Sequence, residues 1–158
     1  MNLRRLSLIA GLLLLAACSG NPSNTGNTGA NTGANATSVV PGSAQDFIQN
    51  VGDRVFFDFD KSAIKPEGQQ TLQRQAEWLK KYPNVTVTVE GHCDDRGTRE
   101  FNLALGERRA TAVRNALVAL GIQANRVKTI SYGKERPAVL GDNEAAWAQN
   151  RRGVTVIN

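Results

Sequence analysis

The chain has 158 residues, 41% hydrophobic and 21% charged, with a formal net charge of +5. That length suits one domain with appendages, and the composition is that of a folded globular protein. The charge is too mild to point to a nucleic-acid binder.

Residues 1–17 read MNLRRLSLIAGLLLLAA. Two arginines lead an apolar run that stops at small residues. This is the pattern of a secretory signal peptide, too short and wrongly flanked to span a membrane. The run ends in Leu15-Ala16-Ala17-Cys18, which resembles the bacterial lipobox. In lipoproteins the cysteine receives a diacylglyceryl thioether, its acyl chains of the palmitate kind, before signal peptidase II cleaves ahead of it. The plainer reading is a conventional signal peptide followed by a chance cysteine. Small residues before Cys18 and a polar, uncharged stretch after it favour lipidation. Ser19 follows where Asp would retain such a protein at the inner membrane, so the resemblance implies sorting to the outer membrane. With Cys18 consumed, Cys93 stands alone and no intrachain disulfide can form. Loss of Arg4 and Arg5 with the leader would lower the charge to +3. That fits weak attraction to an anionic wall polymer.

Residues 19–43 carry a degenerate NTGA repeat with almost nothing to bury. Such a segment cannot offset its ordering entropy, so residues 18–43 read as a lipidated N-terminus and disordered tether. Its r.m.s. span is about 25–30 Å and its limit near ~85 Å.

From residue 44 to 158 the chain becomes globular. Gln45–Asn50 reads as a short helix. Asp53–Asp60 has the aromatic and β-branched content of a strand. Lys65–Lys81 is a helix with Pro66 in its first turn and an apolar stripe of Leu72, Ala76 and Leu79. Val85–Glu90 alternates strictly, so it is a strand with one buried face. Gly91–Thr98 is a polar loop. Phe101–Leu120 is a long helix stopped by Gly121. Val127–Ser131 is a strand, Tyr132–Asn143 a loop, Glu144–Asn150 a short helix and Arg152–Ile157 a last strand. The order βαβαβ(α)β predicts an α/β (α+β) sandwich with helices packed on one mixed sheet.

One residue on the long helix stands out. At 100° per residue, Phe101, Leu105, Ala112, Val113, Ala116, Leu117 and Leu120 form one apolar arc, and Arg109 projects into its middle. A guanidinium cannot be neutralised, and left unpaired in a core it would cost several kcal/mol. Arg109 is therefore expected to meet a carboxylate, from this chain or from a ligand. Asp94 in the preceding loop is the natural candidate. The pair is either an internal salt bridge or a clamp that takes a ligand's ammonium on Asp94 and its carboxylate on Arg109. Asn102 lies on the same arc, where an amide would tie down the loop; a ligand contact is the other reading. Asn150-Arg151-Arg152 reads as a solvated basic turn or as support for the anion site. His92, Cys93, Asp94 and Asp95 are consecutive, and consecutive residues rarely converge on one metal ion. Zinc spacings are absent, and nothing nearby orients His92 for a Cys–His nucleophile. The pattern points to a binding protein, not an enzyme, with no cofactor and no metal.

The runs GHCDDRGTREFNLALGERRATAVRNAL and SYGKERPAVLGDNEAAWAQNRR resemble the OmpA-like peptidoglycan-binding domain. With the lipobox and tether, the chain from Cys18 to Asn158 is similar to the lipoprotein members of that family in Gram-negative bacteria. The resemblance implies a lipid-anchored protein on the periplasmic face of the outer membrane. It would bind the meso-diaminopimelate of the peptidoglycan stem without cutting it. It also implies partners in the Tol system, with roles in envelope maintenance and cell division; the alternative is a generic OmpA-like structural lipoprotein without Tol partners. By motif position, Asp94 and Arg109 match the residues that contact the zwitterion. Leu105 matches a wall residue, Thr98 a loop contact, and Phe57, Asp58 and Phe59 the strand end lining the pocket. Cys93 departs from the family, which often has a small residue or Thr there.

Overall fold

The computed structural model describes residues 39–158. The leader, Cys18 and most of the tether lie outside the described residues. The last stretch read as tether does not: Gly42 N donates to the Asp46 carboxylate at 2.8 Å, and Ser43 Oγ accepts from Asp46 N at 3.1 Å. Ser43 thereby caps the first helical turn.

α1 (Ala44–Asp46) runs on into a wider helical turn, Phe47–Val51. β1 (Arg54–Phe56), α2 (Pro66–Lys81), β2 (Val87–His92) and α3 (Arg99–Ala119) follow, then a short turn of 3-10 helix at Ala124–Arg126. β3 (Val127–Gly133), α4 (Glu144–Asn150) and β4 (Arg152–Ile157) complete the chain. The four strands form one mixed sheet in the order β1-β4-β2-β3. β4 runs antiparallel to both neighbours, and β2 and β3 are parallel. A parallel pair needs a crossover, and α3 supplies it. The expected architecture, helices on a mixed sheet, is the one observed.

The core lies between the sheet and the two long helices. Val55, Val87, Val89 and Val127 face Leu72, Ala76 and Leu79 of α2 and Ala110, Val113 and Leu117 of α3. The buried valines of β2 are every second residue, as its alternation predicts. α3 comes unusually close to β2. A Cβ on Gly91 would lie 1.8 Å from the Gly106 carbonyl oxygen, so only a glycine pair permits this approach. Gln75, buried in α2, donates to Gly52 O at 2.7 Å and accepts from Thr155 Oγ1 at 2.9 Å. This ties the helix to β4 and to the start of β1.

Three differences from the sequence reading share one cause, polar groups drawn inward. β1 stops at Phe56, not Asp60, because the carbonyls of Phe57, Asp58 and Lys61 turn to buried arginines. Gly91–Thr98 is not a solvated loop: Gly91 and His92 belong to β2, and Cys93 and Asp94 are buried. The arc of α3 is shifted as well. Phe101 is 45% exposed, while Asn102, Gly106 and Ala110 are buried beside Arg109.

Candidate functional site

The site lies at the end of the sheet where β1, β2 and β4 meet the first half of α3. Arg109 is wholly buried, at 0% exposure. Its Nε donates to Lys61 O at 2.9 Å, Nη1 to His92 O at 2.8 Å and Nη2 to Asp58 O at 3.0 Å. Its guanidinium carbon lies 5.2 Å from the centre of the Phe57 ring. The carboxylate expected from this chain is therefore absent. Among the described residues, none lies within 4.0 Å of Arg109. Neutral carbonyls hold and aim the guanidinium but leave its charge unbalanced. Burial accordingly pulls the Arg109 pKa below the ordinary arginine value, with nearby Asp94 opposing. Of its five N–H donors, three are engaged, which leaves one on each Nη.

Asp94 is 4% exposed and pairs with two other arginines. Its Oδ2 accepts from Arg96 Nη2 at 2.6 Å and from Arg151 Nη1 at 3.3 Å. Burial alone would raise its pKa, but the Arg96 and Arg151 guanidiniums outweigh it and hold the carboxyl below the usual range. The internal Asp94–Arg109 salt bridge is thus not formed. Asp94 is nonetheless close in the chain to the arginine's anchor, two residues past His92, whose carbonyl receives Arg109.

The other expected residues fall around this pair in distinct ways. Leu105 is buried one helical turn before Arg109. Asn102 Nδ2 donates to Arg96 O at 2.7 Å and Thr98 O at 3.1 Å, so the amide ties down the loop. Thr98 is the N-cap of α3, its hydroxyl accepting from Phe101 N at 3.2 Å. The Phe57 ring is buried. Asp58 gives Arg109 its carbonyl and turns its carboxylate outward, to within 3.8 Å of Lys61 Nζ and 3.5 Å of Lys65 Nζ. Phe59 is exposed.

Asn150, Arg151 and Arg152 are all buried, so this is no solvated turn. Asn150 Oδ1 accepts from Ala138 N and Val139 N and its Nδ2 donates to Val139 O, which pins the 133–143 loop. Arg151 is held by Phe57 O at 3.1 Å and by the Glu144 carboxylate, and from there reaches Asp94. Arg152 donates to Asn150 O and Arg136 O.

Sequence reasoning missed Arg96, Glu144 and Trp147. Arg96 looks like an ordinary loop arginine. Its guanidinium lies between two rings, 4.0 Å from the centre of Phe59 and 4.0 Å from that of Trp147. The Asp-x-Arg spacing was the available signal, since a short Asp–Arg turn brings the two side chains together.

The chemistry of this arrangement is recognition. His92 is buried and its ring packs on Tyr132, and burial drives its pKa down to about 4. Burial pushes the Cys93 thiol up to about 11, and its Sγ donates to Asn102 O at 3.3 Å. A neutral imidazole and a protonated, occupied thiol give no nucleophile at neutral pH.

Comparison with known proteins identifies the family of the chain. The sequence model of the OmpA family matches residues 56–151. The peptidoglycan-associated lipoprotein of Agrobacterium fabrum is 56% identical over 146 residues, covering 92% of this chain and 82% of its own. That of Brucella melitensis is 52% identical over 149 residues, covering 92% and 86%. The crystal structure of the peptidoglycan-associated lipoprotein from Burkholderia pseudomallei superposes with a TM-score of 0.66 at 45% identity, over 67% of this chain and 90% of that one. The C-terminal domain of Helicobacter pylori MotB shares the fold, with a TM-score of 0.63 at 25% identity, over 67% and 84%. The identity extends across nearly the whole chain, so this protein belongs to the OmpA family and, within it, to the peptidoglycan-associated lipoproteins.

Proposed function

We propose that residues 44–158 bind the meso-diaminopimelate residue of the peptidoglycan stem, non-covalently and without cutting it. The observation that carries this reading is Arg109: a wholly buried cation, aimed by three carbonyls, with two donors to spare. The free end of meso-diaminopimelate is a zwitterion, with an ammonium and a carboxylate on one carbon. Its carboxylate would complete Arg109 through the two free Nη–H groups, a charge-assisted fork. Its ammonium would meet Asp94, which stays ionised at neutral pH. Leu105 and Phe57 supply apolar walls, and Asp58 and Phe59 the strand end beside them. Thr98 and Asn102 act by holding the loop, and Asn150, Arg151 and Arg152 by supporting Asp94 and its surroundings. The protein is a binding protein, not an enzyme.

The wider role follows as part of the same proposal. Cys18 carries acyl chains that sit in the outer membrane on its periplasmic side. At about 0.8 kcal/mol per buried CH₂, two or three chains make a durable anchor. Residues 18–43 tether the anchor to the domain. A single stem is held by few contacts, so each bond is reversible, and many copies on one wall add through avidity. The outer membrane is thus linked to the wall as part of the Tol-Pal system, which lets it follow the wall during division.

The test compares soluble wall fragments with meso-diaminopimelate or with lysine at the third stem position. Lysine lacks the distal carboxylate, so it should not bind; equal binding of both fragments overturns the assignment. For the anchor, Cys18→Ser should leave the membrane fraction, and its retention there refutes lipidation at Cys18.

A further inference from the structure

Arg96 pairs with the same Asp94 carboxylate to which the ligand's ammonium is assigned above. Its Nη2 lies 2.6 Å from Asp94 Oδ2, a closer approach than that of Arg151 at 3.3 Å. The two arginines differ in how they are held. Arg151 is anchored from behind by Phe57 O and the Glu144 carboxylate, and its side chain is 7% exposed. The Arg96 side chain is 32% exposed, and Asp94 is its one side-chain hydrogen-bond acceptor among the described residues. Arg151 is therefore a fixed support and Arg96 a removable cation.

The closed arrangement is also incompletely satisfied. Arg96 Nε is buried without a hydrogen-bond partner, and so is the indole Nε1 of Trp147, on whose ring Arg96 lies. Buried unpaired donors oppose the state that contains them. Phe59 and Trp147 each stand 4.0 Å from the Arg96 guanidinium carbon. Two ring faces above a carboxylate form a cation cage, with no preference for an internal over an external cation.

We propose that Arg96 is an internal competitor of the ligand: it plugs the Asp94 subsite in the empty protein and must swing out of the Phe59–Trp147 cage before the ligand's ammonium can enter. The inference rests on Asp94 being the ammonium subsite in the function proposed above. It assigns a new role to the two rings, which receive the ligand's ammonium once Arg96 has left. It also sets apparent affinity, because a site that is mostly closed binds more weakly by the fraction that is open.

The experiment measures binding of a soluble muramyl tripeptide ending in meso-diaminopimelate to the wild type, Arg96→Gln and Arg96→Ala. Thermal melts check that each variant is folded. If the plug is closed in about nine molecules of ten, both variants should bind on the order of tenfold more tightly. Weaker or unchanged binding in the folded variants overturns the proposal and makes Arg96 a ligand contact or a bystander. A second readout needs no variant. In the wild type, the Arg96 Nε–H and Trp147 Nε1–H resonances should both shift as the tripeptide is added. Binding that moves neither also overturns the plug. A wild type that binds no tripeptide at all would refute the functional reading and the plug with it; binding without gain in the variants refutes the plug alone.

Discussion

Replacing Arg109 with lysine separates what this residue does for the fold from what it does for a ligand. Arg109→Ala or Arg109→Met cannot do so cleanly. Either would strand the carbonyls of Asp58, Lys61 and His92, at about 1–3 kcal/mol each, and would also remove a buried charge whose burial costs several kcal/mol. Two terms of similar size and opposite sign predict little. Lysine keeps the charge and brings three donors for the three carbonyls. Its ammonium is a point with a shorter reach, so a loss of about 1–2 kcal/mol of stability is expected from poorer geometry. What lysine cannot keep is the second N–H on each Nη, the pair that the three carbonyls leave unused. Two charge-assisted hydrogen bonds at about 1.5–3 kcal/mol each sum to about 3–6 kcal/mol, which is at least ~100-fold in affinity. Isothermal titration with the diaminopimelate tripeptide reads the second quantity, and urea unfolding followed by circular dichroism reads the first. If Arg109→Lys stays folded and binds within about threefold of wild type, the carboxylate is not read by this fork and the reasoning fails.

Three further outcomes follow from the surroundings of the site. The His92 pKa is depressed to about 4 from 6.5, so the unfolded chain takes up this proton first. The stability it contributes is whole above pH 6.5 and is lost as pH falls toward 4, by about 3 kcal/mol. His92 is the chain's one histidine, so its ring-proton titration by NMR is unambiguous; a midpoint near the ordinary value would contradict the burial argument. Cys93, buried with its pKa pushed up to about 11, should resist a thiol reagent at pH 8 in the folded Cys18→Ser protein and react once urea unfolds it. Fast stoichiometric labelling of the folded form would show the thiol to be accessible. Gly91→Ala would set a methyl 1.8 Å from the Gly106 carbonyl oxygen. Backbone cannot yield as a side chain does, so the cost should reach or exceed about 3 kcal/mol, and an unchanged melting temperature would mean that α3 and β2 are not so closely packed.

What the sequence disclosed depended on whether a feature was local. α4 and β4 were readable to their bounds, because Asn143 caps the helix through its side chain and the following residues include the β-branched run Val154-Thr155-Val156-Ile157. The apolar stripe of α2 was legible from spacing. The placement of Arg109 in the core was legible as well, since helical periodicity alone puts it there. Its partners were not. They are backbone carbonyls 48, 17 and 51 residues away, and a carbonyl carries no sequence signature. The same blindness lengthened β1, whose last residues keep strand composition while their carbonyls leave the sheet for arginines. Arg96 was missed because periodicity has no hold on an irregular loop, and a loop rich in charge reads as solvated until its folding inward is seen. Asp94 was identified by its motif, but its actual partners come from its own loop and from the junction of α4 and β4.

The two halves of the site are prepared differently, and this bears on how a ligand would be held. Had Arg109 paired with Asp94, every binding event would have had to break a buried ion pair, with both desolvated charges briefly exposed to nothing. Instead the carbonyl trio fixes the Arg109 guanidinium while leaving its charge unspent. The anion half is preorganised and electrostatically unfinished, but Arg109 is wholly buried, so an arriving carboxylate must displace what covers it as well as lose its own water. The cation half is balanced already, with Arg96 and Arg151 on Asp94, and an ammonium gains there only by exchange. An isolated carboxylate is then expected to gain more from this site than an isolated ammonium. On the function proposed above, orientation would come from Arg109, and selectivity for a zwitterion from the requirement that the same ligand also displace a cation.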